Sequence, residues 1–237
     1  MDCKSIQKDL QKLQDPKKAK LLSGFFKTGK GEYGEGDVFL GIPVPLQRKV
    51  VKKYIELSLT ELQKLLDSKI HEHRLTALLI LVDKYKKAEQ AEKEKIFNFY
   101  LKNAKNINNW DLVDLTAPNI VGDYLLSKGC HPERSEGSLY KLAKSKNLWE
   151  KRISILATFA FIKNNQFKDT LKIAEILLND THDLIHKAVG WMLRELGKRN
   201  QKVEEKFLRK NYKKMPRTML RYSIEKFSAE KKKFFVL

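Results

Sequence analysis

Apolar residues along the chain recur three or four positions apart, which is the spacing of one face of an α-helix. Runs of this kind begin at Ile6, Leu75 and Ile153, and the same period dominates the rest of the sequence. Alternating apolar and polar positions, the pattern of a half-buried strand, are nearly absent, and the short apolar run at 38–40 is the only strand candidate. The pattern therefore predicts an all-α chain.

Helix-start signals place the boundaries of the predicted helices. Asp15 before Pro16 combines a capping residue with proline at the first helical position. Asn109 can cap a helix that begins at Trp110, and we expect Pro118 to kink or split that helix. The predicted helices cover residues 4–14, 16–27, 45–57, 59–67, 69–87, 89–105, 110–128, 138–146, 148–164, 170–179, 183–199, 201–213 and 217–227.

Short connections favour stacked pairs of antiparallel helices. Trp110, Arg152 and Trp191 lie 42 and 39 positions apart, close to the period of roughly 40–47 residues of HEAT-type repeats. We therefore expect a right-handed superhelix (solenoid) of HEAT-like pairs, in which equivalent positions share one concave face. An irregular helical bundle is the alternative. We expect a single domain over residues 1–237, with a basic and apolar tail at 228–237.

Charge narrows the class of partner. The 237 residues include 48 Lys and Arg against 29 Asp and Glu, a net charge of +19. This excess favours a polyanion, either nucleic acid or an anionic membrane surface. The polar N-terminus predicts no signal peptide, and no apolar run is long enough to span a membrane. Two cysteines are too few for a disulfide framework. We expect a cytoplasmic monomer.

Two motifs carry weaker signals. Residues 29–34 match GxGxxG, but a dinucleotide site needs a preceding strand, so we expect a flexible turn instead. His182 and His186 are spaced for one helix face, but no third metal ligand is evident, so we expect neither a metal nor a cofactor. Residues 129–137 are predicted to form a polar surface loop.

The most informative stretch contains Trp110 and Asp114, which share one face of a helix because they are four residues apart. Asp111 is rotated away from that face, and we expect its substitution by Asn to leave activity nearly unchanged. Tryptophan favours burial whereas aspartate is rarely buried without a partner, so the pair fits the rim of a pocket. Arg152 and Trp191 lie in stretches of similar character; ordinary core packing of Trp191, or a pairing of Arg152 with Asp114, is the structural alternative.

Such a cluster suits a reaction on DNA with a cationic transition state. Tryptophan faces attract cations and pack on sugars, and arginine binds phosphate. A carboxylate can stabilise an oxocarbenium-like sugar. A purine alkylated at N3 or N7 is already cationic and leaves as a neutral base, so one aspartate is sufficient.

At these residues the chain resembles the AlkD-like DNA alkylation repair glycosylases, which are built from HEAT-like repeats. The resemblance is carried by residues 39–45 (FLGIPVP), 110–114 (WDLVD), 148–152 (LWEKR) and 187–195 (KAVGWMLRE). It implies an all-α solenoid whose concave, basic face binds duplex DNA. It also implies excision of positively charged N3- and N7-alkylpurines, such as 3-methyladenine and 7-methylguanine, without base flipping.

The resemblance assigns roles to individual residues. It implies that Asp114 is catalytic, that Trp110 and Trp191 line the cleft, and that Arg152 completes the cluster. Family members contact the lesion strand through a tyrosine, for which this chain offers Phe25 or Phe26. We expect Arg48, Lys187 and Arg194 to bind DNA as well. The competing hypotheses are a non-catalytic HEAT-repeat module that binds nucleic acid and a protein-binding scaffold.

Overall fold

The computed structural model describes residues 2–128 and 132–236, apart from the side chains of residues 132–137 and 236. Within those ranges no strand forms, and Val38 makes only an isolated parallel bridge with Ile70. The all-α prediction is confirmed. The helices are α1 (Cys3–Gln11), α2 (Pro16–Phe25), α3 (Val44–Lys53), α4 (Leu59–Leu66), α5 (His71–Lys87), α6 (Gln90–Lys102), α7 (Trp110–Ala117), α8 (Asp123–Ser127), α9 (Pro132–Ala143), α10 (Leu148–Lys163), α11 (Lys168–Ile176), α12 (Asp183–Arg199), α13 (Gln201–Asn211), α14 (Arg217–Ser223) and α15 (Ala229–Val236).

The chain forms two compact units, Met1–Thr116 and Ala117–Leu237. Each unit is built around a helix that is buried on all its faces, α5 in the first and α10 in the second. Such helices are apolar over most of their surface because every face must pack against a neighbour. The expectation of a single domain stays a prediction.

Helices pack as stacked pairs within each unit. In the first unit, α5 packs against its chain neighbours α4 and α6 and also against α1 and α3. In the second, α10 packs on α12 and α12 on α14, while α11 and α13 pack beside the helices that precede them. Contacts between alternate helices are typical of helical repeats, in which each pair stacks on the next.

Two glycines in the second unit allow helices to approach closely. A Cβ atom at Gly122 would lie 2.2 Å from the backbone oxygen of Ala157 on α10. A Cβ atom at Gly190 would lie 2.5 Å from the backbone oxygen of Met219 on α14. Neither site has room for a side chain, so glycine fixes the spacing of these helices.

The predicted interruption at Pro118 is confirmed and takes the form of a π-helical segment, Pro118–Gly122, between α7 and α8. Proline has no N–H group to donate to the carbonyl four residues earlier, which here belongs to Asp114. Single π turns within α-helices arise where the regular ladder is broken in this way, and they are frequent at functional sites.

The helices differ from the sequence-based prediction at two places. The sequence predicts a polar loop over 129–137; residues 129–131, including Cys130, lie outside the described residues, but α9 begins at Pro132, so the prediction is wrong from there on. Helix α15 lies within residues 228–237, where the sequence predicted a basic and apolar tail and no helix. Phe235 of this helix is buried, with its ring centroid 5.6 Å from that of Tyr212. No helix of the described chain is long and apolar enough to cross a membrane.

Candidate functional site

Trp110 of the first unit lies at the end of a stack of aromatic rings. Its ring is nearly parallel to that of Phe26, with centroids 5.1 Å apart, and Phe26 stacks in turn on Phe39 at 5.0 Å. Phe39 stacks on the imidazole of His71 at 4.6 Å. Phe25 meets Trp110 edge-on at 5.9 Å and is 64% exposed, whereas Phe26 is 6% exposed. Phe26 therefore supports Trp110 from below, and Phe25 borders it at the surface.

Beneath this stack lies a buried network of charged groups. The Nε2 atom of His71 is 2.9 Å from Asp111 Oδ2, and its Nδ1 atom is 3.3 Å from Asp37 Oδ2. Arg74 donates to Asp37 Oδ1 at 2.7 Å. The carboxylates of Asp37 and Asp111 thus face two cations, and all four side chains are buried away from water. A buried set of this kind is tolerated because its charges and hydrogen bonds are matched.

The electrostatics of the network favour a charged imidazole. Burial alone lowers the pKa of His71, but hydrogen bonds to Asp111 and Asp37 outweigh it and raise the pKa to about 9. Burial would raise the pKa of Asp37, yet hydrogen bonds from His71 and Asn109 and the charge of Arg74 hold it below the usual range. His71 is therefore an imidazolium at neutral pH.

The network fixes the backbone on both sides of Trp110. The helix begins at Trp110 as predicted. Asn109 accepts a hydrogen bond from the adjacent Trp110 N–H at 2.8 Å, and its amide donates to Asp37 at 3.1 Å. On the other side, Asp111 is held by His71. The start of α7 is consequently held by two buried charged side chains, Asp37 from the segment before α3 and His71 from α5.

Asp111 departs from the sequence-based expectation. Its place away from the face of Trp110 and Asp114 predicts a silent residue, but the residue is buried and bonded to His71. Rotation away from the face of Trp110 and Asp114 turns the Asp111 side chain into the interior, so this residue is not an inert control. The effect of Asp111→Asn on activity stays a prediction.

Asp114 is half-buried and lies one turn after Trp110, at the point where Pro118 opens the helix. Burial raises the pKa of Tyr100, and the charge of Asp114 adds to this shift, which places the carboxylate near the phenol. The pairing of an aromatic ring with a carboxylate along one helix face is thus present in the first unit.

In the second unit, α12 carries Lys187, Trp191 and Arg194 at successive turns of one face. The ring of Trp191 is half-buried beside Phe159, with centroids 6.2 Å apart. Its indole N–H donates to Glu195 Oε1 at 3.1 Å. Trp191 therefore has one face packed and a fixed orientation.

The basic residues expected to bind DNA differ in their surroundings. Lys187 lies 2.6 Å from Asp183, and Arg194 pairs with Glu225. Arg48, on α3 of the first unit, is exposed and makes no ion pair with any residue that the structure describes. Of these cations, Arg48 is the one whose charge is uncompensated.

Arg152 is 5% exposed and lies on the buried helix α10. Its guanidinium donates to the backbone oxygen of Leu184 at 2.5 Å, in the first turn of α12. The arginine therefore positions the helix that carries Trp191.

The weaker motifs are occupied by local hydrogen bonds. His182 accepts from the Leu184 N–H at 3.1 Å, and His186 donates to the backbone oxygen of Asp180 at 2.5 Å. Among the side chains that the structure describes, no group of three or more His, Cys, Asp or Glu residues could hold a metal ion. In the glycine-rich turn, Glu32 and Glu35 accept from the N–H groups of Gly29 and Gly31, both at 2.8 Å.

The sequence reasoning missed Asp37, His71 and Arg74. One signal was available: α5 begins with four charged or imidazole side chains, His71–Arg74, ahead of a continuous apolar run. Polar residues at the start of a helix that is buried on all faces must find partners inside the protein.

Stacked helix pairs without a sheet, together with a half-buried Trp–Asp pair on a strongly basic chain, define an all-α helical-repeat protein with a candidate nucleic-acid site. The model of the family described as DNA alkylation repair enzyme matches residues 6–227. The chain belongs to this family, as its resemblance to the AlkD-like DNA alkylation repair enzymes predicted.

A solved structure supports the same fold. It is described as a predicted DNA alkylation repair enzyme from Enterococcus faecalis, is 17% identical, and covers 91% of this chain and 97% of its own, with a TM-score of 0.71. At this identity the likeness concerns the fold alone. No protein with a curated description matches the chain.

Proposed function

We propose that the chain is a monofunctional DNA glycosylase that hydrolyses the N-glycosidic bond of positively charged N3- and N7-alkylated purines in duplex DNA, without flipping the base. The observation that carries the proposal is the placement of Asp114 one turn after Trp110 on α7, in a helix start anchored by buried charges. Family membership supports the repair of alkylated DNA as the setting.

In the proposed reaction, the bond between C1′ and the purine nitrogen breaks, and its electron pair neutralises the cationic base. The sugar develops oxocarbenium character, which the carboxylate of Asp114 stabilises in a poorly hydrated position. Water then adds to C1′ and releases its proton to solvent by way of Asp114. Because the departing purine is neutral, no strong general acid is required.

The other residues bind the substrate. Trp110 covers the sugar with a rigid aromatic face, and Phe25 contacts the lesion strand beside it. In the second unit, Arg152 positions α12 through its bond to the Leu184 oxygen. Trp191, Lys187 and Arg194 of that helix contact the DNA strand and its phosphates. No metal or cofactor enters the scheme, so we expect base release to survive EDTA.

The test is substitution of Asp114 by Asn, which removes the charge and keeps the shape. Release of 7-methylguanine and 3-methyladenine from methylated duplex DNA should fall on the order of 10²-fold or more, as for loss of one preorganised electrostatic contact. Affinity for DNA should change much less, because the group acts in the transition state. Chromatography of released bases gives the rate.

The matched control is Asp83→Asn on α5, a surface carboxylate paired with Lys86, where the same change should be almost without effect. Equal base release by the wild type and Asp114→Asn, at equal folded fraction, would remove Asp114 from the mechanism. Tight DNA binding without base release by the wild type would favour the non-catalytic binding module.

A further inference from the structure

A second candidate site lies at the end of the second unit, where a cavity of about 710 Å³ opens around α14. Its rim carries the side chains of Lys213, Arg217 and Arg221, and buried apolar residues form its floor, among them Ile224 and Phe235. A volume of this size is typical of sites for small organic ligands.

The charges around the cavity are unbalanced. No Asp or Glu lines it, and none of its three cations makes an ion pair with a residue of the described chain. Arg217 and Arg221 are four residues apart on α14, where like charges repel. On neighbouring α13, by contrast, Arg209 and Lys210 are both paired with glutamates.

An anion would remove this repulsion, and arginine is the side chain best suited to bind phosphate in a bidentate manner. The apolar floor adds a surface for a flat, poorly hydrated group beside the phosphate. Tyr212 and Thr218 also line the cavity, and the Thr218 hydroxyl hydrogen-bonds the Asp183 carboxylate beside it.

We propose that this cavity binds a nucleotide, with its phosphate between Arg217, Arg221 and Lys213 and its base or sugar on the apolar floor. The nucleotide is either a free mononucleotide or a unit of a DNA strand, since both offer the same phosphate and ring. The site does not depend on the glycosylase activity, because none of its residues takes part in the proposed reaction.

The experiment measures binding of adenosine 5′-monophosphate, adenosine, inorganic phosphate and a short single-stranded oligonucleotide by calorimetry at constant low salt. The double variant Arg217→Gln/Arg221→Gln is compared with Arg209→Gln/Lys210→Gln, which removes the same charge from α13. Melting curves check that both variants fold, and base release from methylated duplex DNA is recorded in parallel.

We expect the monophosphate to bind more tightly than adenosine or phosphate, and the Arg217/Arg221 variant to lose at least about tenfold in affinity, as expected for loss of charge-assisted hydrogen bonds. The control variant should retain binding. Binding of the oligonucleotide alone, with the same dependence on the two arginines, would assign the site to a DNA strand. Absence of binding by both the monophosphate and the oligonucleotide, or an equal loss of affinity in the two variants, would overturn the proposal.

Discussion

His71 touches both carboxylates of the buried network and supports the aromatic stack on which Trp110 rests. The groups that face it are Asp37 from the segment before α3, Asp111 from α7, and Arg74 on its own helix. A charged imidazole in this position links the electrostatics of the interior to the orientation of a tryptophan at the surface.

The pH dependence of stability should reveal this charge. Because the pKa of His71 rises to about 9 on folding from 6.5, its stabilisation is complete below pH ~6.5 and is lost as the pH rises through 9. We expect His71→Gln to lower the free energy of unfolding on the order of 2 kcal/mol at pH 6 and by much less at pH 10. Urea unfolding at the two pH values measures the difference.

A spectroscopic readout separates positioning from stability. In a Trp149→Phe/Trp191→Phe background, emission reports Trp110, and His71→Gln should shift it at pH 6 in fully folded protein. The same shift should occur in the parent background as the pH is raised past 9. Unchanged emission under both conditions would mean that the network does not position Trp110.

Glu204 presents the opposite case. Burial, with a smaller contribution from Glu205, raises its pKa to about 8. The unfolded chain releases the proton above pH ~4.5, so the wild type loses stability between pH 4.5 and 8. We expect Glu204→Gln to match the wild type near pH 4.5 and to be more stable on the order of 2 kcal/mol or more at pH 8, measured by urea unfolding.

Glu205→Gln is the control for Glu204. Its pKa is lowered by hydrogen bonds from Lys231 and Arg209, so its stabilisation is present above the unfolded pKa and falls in acid. The substitution should therefore destabilise the protein at pH 8. Effects of the same sign in the two variants would contradict the assignment.

At the residue scale, spacing alone was enough to place Trp110 and Asp114 on one helix face. The burial of Asp111 was not predictable, because its partners Asp37 and His71 are distant in sequence and meet it only in the folded unit. A periodic pattern predicts which face of a helix a side chain occupies, but not which residues that side chain contacts.

At the scale of elements, the contact between α12 and α14 depends on the absence of a side chain at Gly190. Gly190→Ala would place a methyl group 2.5 Å from the oxygen of Met219 and force the helices apart. We expect the free energy of unfolding to fall by about 1–3 kcal/mol, as for overpacked cores. Urea denaturation of the variant measures it.

Gly24→Ala in α2 is the matched control, since nothing lies within 4 Å of a Cβ atom there. Alanine is the better helix former, so this variant should gain up to about 1 kcal/mol. A loss of stability as large as that of Gly190→Ala would show that the close approach of α12 and α14 is not the cause.

Most helices were predictable because their apolar period and start signals agree, as at Pro16 and Trp110. The start of α9 and the whole of α15 were not predicted as helix, and the cause is the same. The first turns of α9 are polar, and α15 combines a lysine triplet with adjacent phenylalanines, so neither shows a helical period. Phe235 belongs to the interior only because Tyr212 and Phe227 lie next to it in the fold.

At the scale of the whole molecule, the charge of +19 predicts DNA binding dominated by release of counterions. If about six phosphates are contacted, log K should fall with log salt with a slope near −5. Arg48→Ala should weaken binding to damaged and undamaged duplexes alike and reduce the slope by about 1. Fluorescence anisotropy over a salt series measures both.

Arg48 is the cleaner choice for this test, because Arg194→Ala would also leave Glu225 without its partner. An affinity that stays flat between about 50 and 200 mM salt would contradict the electrostatic interpretation. Composition was sufficient for this prediction, since net charge acts at long range and needs no knowledge of the fold.

Helix α2 buries none of its ten residues, and it carries the exposed side chains of Leu21 and Phe25. An element with so little interior surface opens locally long before the protein unfolds, so its amide hydrogens should exchange with deuterium far sooner than those of α5. A duplex that contacts Phe25 would stabilise the helix that carries it and slow this exchange. The exchange rate of the α2 amides would therefore report DNA binding at this helix, independently of base excision.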